Sequence, residues 1–414
     1  MGVAETINGL DAFPARGAGT NSERRAALWL AEELRTPRRE ATIETFWSRT
    51  NWALANAWHA GLAAVGSLIT VASPRAGGAV VIVALLSALL DALTGVSLGR
   101  RLTREHASQN VVSPPPAGAP RVRLLITANY DAGRMGFVHR PFLRRPAAHL
   151  RNLLGPLAVG WQGLLVIACL WVLATAILRD GGTSGASIAV LQVIPTAGLV
   201  LAAAGLLELG GSTFGPAAGD NGSGTALALA LVRALDAAPP RHLGVEVVLQ
   251  GAGDGSMSGL AKHLRRHRRE LDPGEVIVLG LGACGGGHPC WFRSDGALLP
   301  LRFLPRLIQL AEQASAQVPE VGARAHRGRG ISPAYPARLR GRPAITIGAV
   351  DSAGLVPRSH LPTDTPDRVE TAVADRVLEF ALTLTDVIDA GLPAASRPAA
   401  STPDPGAPGP VPQT

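Results

Sequence analysis

The chain has 414 residues and a formal net charge of +8, long enough for two or three domains or for one large domain carrying insertions. Lys262 is its only lysine and aromatic residues make up 4%, so the positive charge does not come with the basic, aromatic surface on which single-stranded nucleic acid stacks. Nucleic acid is therefore not an expected partner, and a mean hydropathy of +0.22 points to apolar segments instead.

The start, "MGVAETINGLDAF", lacks a basic region followed by an apolar core and does not read as a cleavable signal peptide. "SERRAALWLAEELR" reads as a helix capped by Ser22, with an apolar stripe through Ala27, Leu30 and Leu34. "ATIETFWSR" alternates like a strand. Two apolar blocks follow, residues 52–72 and 79–98, and two more lie at 154–178 and 187–207. Each is near the roughly 20 residues that cross a bilayer as a helix, and none shows a polar face. "SPRAGG" joins the first pair and "RDGGTSGA" the second, giving two hairpins.

Everything else then lies on one side of the membrane. That side carries Arg24, Arg25, Arg38, Arg39 and Arg49, then Arg100, Arg101 and Arg104, then Arg140, Arg144, Arg145 and Arg151; the far turns carry Arg75 and Arg179. The excess of arginine predicts a cytoplasmic globular part. Three cysteines, with Cys169 inside a span, form no disulfide framework and agree with a reducing compartment. Asp91, at the cytoplasmic end of the second span, is expected to be structural, reached by water or an arginine.

Outside the spans, strands and helices alternate. "RVRLLITANYD", "LGVEVVLQGAGDG", "EVIVLGLGACGG" and "RPAITIGAV" read as strands. "GDNGSGTALALALVRALD", "SMSGLAKHLRRHRREL" and "PLRFLPRLIQLAEQAS" read as helices or helix starts, and a last helix is expected near Thr365 and Pro366. The Pro- and Ala-rich residues 391–414 read as a disordered tail. The fold class expected is an α/β three-layer sandwich with a largely parallel central sheet, into which two transmembrane hairpins are inserted. The globular domain then comprises residues 1–50, 100–153 and 209–390, interrupted at 51–99 and 154–208.

In such a sheet, functional residues gather beyond the carboxyl ends of the strands. Asn129, Asp131, Asp220, Asp254 and His360 all fall there. Their bland readings are also open: Asp220 or Ser223 as a helix cap, Asp254 as a turn residue, His360 as a loop histidine. "ACGGGHPCW" brings Cys284, His288 and Cys290 together, but three candidate ligands without a fourth read as a glycine loop rather than a zinc site.

The segments "ITANYDAG", "GDNGSGTALALALVRAL", "VEVVLQGAGDGSMSGL", "VIVLGLGACGG" and "RSHLPTDTPDRV", in that order, resemble the co-catalytic zinc aminopeptidases, the M twenty-eight peptidase family that also holds glutaminyl cyclases. The resemblance implies that Asp220 matches the carboxylate bridging two zinc ions, and that Asp254 (usually Glu) and His360 match the other ligands of one ion. It also implies losses. The second ion's histidine matches Asn129 and its carboxylate matches Gly280, while Asp131 matches the partner of the missing histidine. The catalytic base matches Gly253. The implied cofactor is one zinc at Asp220, Asp254 and His360, with no two-zinc centre expected.

The function expected is that of a membrane-anchored metallopeptidase-like protein whose catalysis is lost or impaired, serving as a binding or scaffold module for peptides or protein partners. The alternative is an active mononuclear-zinc aminopeptidase or amide hydrolase, in which Gly253→Glu should raise activity. A second alternative is the regulatory part of a membrane channel or carrier.

Overall fold

The computed structural model describes residues 2–256 and 258–392. Nine strands form one mixed sheet: β1 (Thr42–Ser48), β2 (His106–Ser113), β3 (Val122–Asn129), β4 (Leu243–Gln250), β5 (Val276–Leu281), β6 (His288–Asp295), β7 (Leu301–Arg302), β8 (Arg324–Arg327) and β9 (Ala344–Val350). Their order is β1-β2-β4-β3-β5-β9-β6-β7, with β8 paired to β6. The centre, β4-β3-β5-β9, is parallel throughout. These are the four strands whose apolar runs predict burial on both faces. The edges β1 and β2, and β6 against β9 and β7, are antiparallel.

Side chains alternate across the sheet and build two cores. On one face Leu124, Ile126, Leu279 and Ile345 pack with Leu227, Leu231, Leu307 and Phe380 from the covering helices. On the other, Leu125, Val248 and Val278 meet Leu260, Leu264 and Ala337. The expected sandwich is thus present as a mixed α/β fold with a mostly parallel centre.

Several boundaries differ from the sequence reading. The first covering helix, Asn21–Leu34, is capped by Thr20, whose hydroxyl accepts from the Glu23 N–H at 3.1 Å, not by Ser22. The final helix starts at Thr371, after a short 3₁₀ turn at Pro366–Arg368. "GGGHPCW" runs into strand β6 instead of remaining a loop. The tail reading, residues 391–414, falls outside the described residues beyond Leu392.

The four apolar blocks form the helices Trp52–Ala72, Pro74–Thr94, Trp161–Asp180 and Ala186–Gly211, each long and apolar enough to cross a membrane. The first pair is joined by Ser73 alone, because Pro74 occupies the first helical position. The four pack on one another through Ala60, Ala63, Ala84, Leu165, Val172 and Leu199. Small residues set the closest crossing: a Cβ at Gly77 would lie 2.5 Å from the Gly66 carbonyl oxygen. Leu68, Leu86, Leu90, Leu164, Ile177 and Leu201 point outward, each more than half exposed or nearly so. Arg75 and Asp180 bridge the two hairpin turns at 3.0 Å, so both turns lie at the same end.

Asp91 is buried and accepts from Arg100 Nε at 2.8 Å, Ser97 Oγ at 3.0 Å and Asn56 Nδ2 at 3.3 Å. Its role is structural, with the arginine as partner. Between the hairpins lies a helix the sequence reading passed over, Pro141–Leu154, which leaves Phe142, Leu150 and Leu153 exposed beside its arginines.

Candidate functional site

The carboxyl ends of β3 and β4, the turn before the helix Ser223–Ala237 and the loop after β9 converge on one cleft. Asp220, Asp254 and His360 meet there. His360 Nε2 lies 3.8 Å from Asp220 Oδ2 and 3.6 Å from Asp254 Oδ1. The ring's Nδ1–H donates to the Arg134 carbonyl at 3.1 Å, which turns the Nε2 lone pair toward the two carboxylates. The ring stacks on His139 with centroids 4.2 Å apart. Burial, then His360 and Arg144, push His139 down to about 2, which keeps the His139 ring uncharged.

Each ligand position is held by elements far apart in sequence. Ser359 Oγ donates to Asp220 Oδ2 at 2.6 Å. The Asp364 carboxylate accepts from the Gly219 and Asp220 N–H groups at 2.9 and 3.1 Å, and burial, then Asp220, raise it to about 7. Ser223 does not cap its helix conventionally; its hydroxyl donates back to the Gly219 carbonyl at 2.8 Å. Buried Arg16 ties the site together from behind, donating to the carbonyls of Tyr130, Pro216 and Ala217. Burial lowers its guanidinium to about 10, with Asp131 foremost among the carboxylates that oppose the shift.

The backbone is strained around this cleft. Among the described residues, five non-glycine positions have positive φ: Ala15 (51°), Ala217 (54°), Ala252 (46°), Arg358 (58°) and His360 (59°). Each adjoins or forms a site segment, and such conformations cost of order 1–3 kcal/mol each. Gly133 permits the close approach of the β3 loop, since a Cβ there would run into the His360 ring and lie 2.8 Å from Asp254 Oδ1.

Asp131, Asn129, Gly253 and Gly280 behave differently. Asp131, buried, accepts from the Gly253 N–H at 3.0 Å and the Asp254 N–H at 3.1 Å, so it shapes the loop that carries Asp254. Burial, then Asp254, hold it well above the usual carboxylate range. Asn129 is buried and its Oδ1 accepts no hydrogen bond. A Cβ at Gly253 would lie 2.5 Å from Asn129 Cγ, so the Asn129 side chain fills the space beside Gly253. Gly280 is not brought to the cluster. It lies inside β5, and a Cβ there would meet the Ala334 nitrogen at 2.6 Å, in packed core.

The donor set, two carboxylates and an imidazole, suits one divalent ion in residue type. His360 Nε2 faces both carboxylates, and Ser359 holds one oxygen of Asp220 while its other oxygen remains for a ligand. Sequence reasoning missed Arg16, His139, Ser359 and Asp364, since their partners are fixed by tertiary contacts up to two hundred residues away.

The fold is that of zinc aminopeptidases. The structure is similar to the zinc aminopeptidase BSAP from Bacillus subtilis, with a TM-score of 0.53 and 12% identity over 92% of this chain and 93% of that one. It is similar to a glutaminyl cyclase from Fimbriiglobus ruber, with a TM-score of 0.50 and 14% identity over 93% and 94% of the two chains. LapB from Legionella pneumophila matches at a TM-score of 0.50 and 10% identity, over 94% of this chain and 72% of that one. No family model and no curated protein matches the sequence.

Proposed function

We propose that the protein is held in a lipid bilayer by its four apolar helices and presents, on the cytoplasmic side, an aminopeptidase fold that has lost catalysis and serves as a binding or scaffold module for peptides or protein partners. The observation that carries this reading is the pairing of Asn129 with Gly253. The position where a carboxylate would take a proton from zinc-bound water holds no side chain, and the neighbouring amide fills the space. A general base contributes on the order of 10²–10⁴ in rate, so its loss alone weakens hydrolysis severely.

The membrane part of the reading is supported by outward-facing leucines and by polar groups satisfied inside the helix cluster. Gln192 Nε2 donates to the Ser67 carbonyl at 2.6 Å and to Thr70 Oγ1 at 2.8 Å, and Gln192 Oε1 accepts from Arg179 at 2.7 Å. A single zinc at Asp220, Asp254 and His360 is compatible with the reading, which does not depend on it. The test is aminopeptidase and glutaminyl-cyclase turnover by the detergent-purified chain beside Asp220→Ala. Equal background rates are expected, and turnover abolished by the substitution would overturn the proposal.

A further inference from the structure

A second cluster, built from other elements, brings three metal-ligand side chains together. Glu44 on β1, His263 on the helix Ser258–Arg266 and His267 just beyond it present three ligand atoms that all lie within 4.8 Å of one another. The histidines are four residues apart, which stacks them on one side of a helix. Their rings are 4.6 Å apart between centroids. Glu44 reaches between them, with Oε2 3.0 Å from His263 Nδ1 and Oε1 2.6 Å from His267 Nε2.

The outer contacts are as specific. His263 Nε2 lies 3.2 Å from Glu246 Oε1, and Glu246 is itself held by Arg123 at 3.1 Å. His267 Nδ1 lies 3.1 Å from Glu270 Oε2. Each imidazole therefore has one nitrogen turned to Glu44 and the other on a carboxylate of its own. Metal-binding histidines have this arrangement, in which the outer carboxylate fixes the tautomer and leaves the inner lone pair for the ion. Asn110, the cross-strand neighbour of Glu44, is buried and lines the adjoining cavity, and its Oδ1 accepts no hydrogen bond.

We infer that Glu44, His263 and His267 form a zinc-class divalent-cation site that clamps β1 to the helix Ser258–Arg266. Two imidazoles and a carboxylate suit zinc and leave its fourth position for water from the cavity. Because its ligands come from a strand and a helix, an ion there would tie the two elements together.

The test uses the full chain in detergent, stripped with chelator and titrated with zinc, and then with cobalt for its visible absorption. One zinc per chain is expected, with tetrahedral cobalt bands and a raised Tm, all retained in Asp220→Ala. His267→Ala should weaken zinc binding by more than about 100-fold, and Glu270→Gln, which touches only the outer contact, by about 10–100-fold. Glu44→Gln keeps the side-chain shape, so it serves as the ligand variant if His267→Ala does not fold. Zinc binding lost in Asp220→Ala but untouched in the Glu44 and His267 variants would overturn the inference, as would no binding at all.

Discussion

Asn129 and Gly253 exclude one another's alternatives: a Cβ at residue 253 would lie 2.5 Å from Asn129 Cγ and 2.9 Å from Asn129 Cβ. Gly253→Glu is therefore expected not to restore a catalytic base, whereas the active-enzyme alternative expects it to raise activity. The expected result is a loss of roughly 1–3 kcal/mol from overpacking and no gain in hydrolysis. Introducing Asn129→Gly alongside Gly253→Ala should recover part of the loss suffered by Gly253→Ala alone, a favourable coupling that thermal melts of the four species would measure. Additive losses would mean that the two side chains do not compete.

Asp91 and Arg100 form the most enclosed ion pair at the base of the helix cluster, with side chains 1% and 9% exposed. Arg100 also donates to the Arg49 carbonyl at 2.7 Å, joining the chain entering the first long helix to the chain leaving the second. Removing one partner leaves a buried charge unpaired, at a cost of about 3–5 kcal/mol. Arg100→Met should therefore lower the melting temperature more than the double variant Asp91→Asn with Arg100→Met. Equal melting temperatures would show that water already reaches the carboxylate.

The contrast between these two pairs shows what the sequence makes legible. Asp91 stands out because a charge in an apolar block is conspicuous, and nearby arginines suggest its partner. The central strands are legible for the same reason, as unbroken apolar runs. Strand β2 is not, because it buries the polar residues Ser108, Gln109 and Asn110: the Ser108 hydroxyl donates to Glu23 and Asn110 Nδ2 to the Gly259 carbonyl, while the Gln109 backbone carbonyl accepts from the Tyr130 hydroxyl. The order of motifs points to Asp220, Asp254 and His360, but nothing local foretells that Arg16 would hold the carbonyls of Pro216 and Ala217 or that Asn129 would fill the space above Gly253. The Glu44–His263–His267 cluster is equally hidden: the two histidines fall in a segment that reads only as a helix, and their third partner comes from β1, more than two hundred residues away.

Glu23 gives the pH dependence a definite sign. Its carboxylate accepts from Ser108 Oγ at 2.6 Å and from the Gly19 and Ala252 N–H groups at 2.6 and 3.0 Å. Burial outweighs these bonds and raises it from 4.5 to about 7. A carboxyl group whose pKa is raised on folding contributes stability that is fully present below its unfolded value and is lost as pH rises through its folded value. Between about pH 4.5 and 7 the protein should thus lose stability from this group, by at most roughly 3 kcal/mol. Melting temperatures across that window should fall less steeply in Glu23→Gln than in the wild type. Parallel profiles would show that Glu23 is ionised in the fold throughout.

The cysteines should be inert in the native protein. Cys169, Cys284 and Cys290 are all free and buried, and burial pushes the Cys284 and Cys290 thiols up to about 12. Only the thiolate reacts readily, so maleimide at neutral pH should label none of the three until the chain is denatured, and then all three. The same burial removes Cys284 and Cys290 from any metal site with His288, which is exposed on β6. Rapid labelling of either under native conditions would reopen that possibility.

Silent native cysteines make the membrane topology directly measurable with single introduced ones. The ion pair between Arg75 and Asp180 puts both hairpin turns at one end of the helix cluster, and the sheet lies at the other. The arginine excess sits on the sheet side, which the positive-inside rule assigns to the cytoplasm. Thr183 lies exposed in the second turn and Glu320 lies exposed on the globular part. A membrane-impermeant maleimide added to intact cells should label Thr183→Cys, and should reach Glu320→Cys only after permeabilisation. The reverse pattern would invert the orientation and move the Asp220 cleft and the Glu44 cluster out of the reducing compartment. Labelling of both variants from outside would mean that the four helices do not cross the bilayer, leaving their outward leucines to be covered by another protein surface.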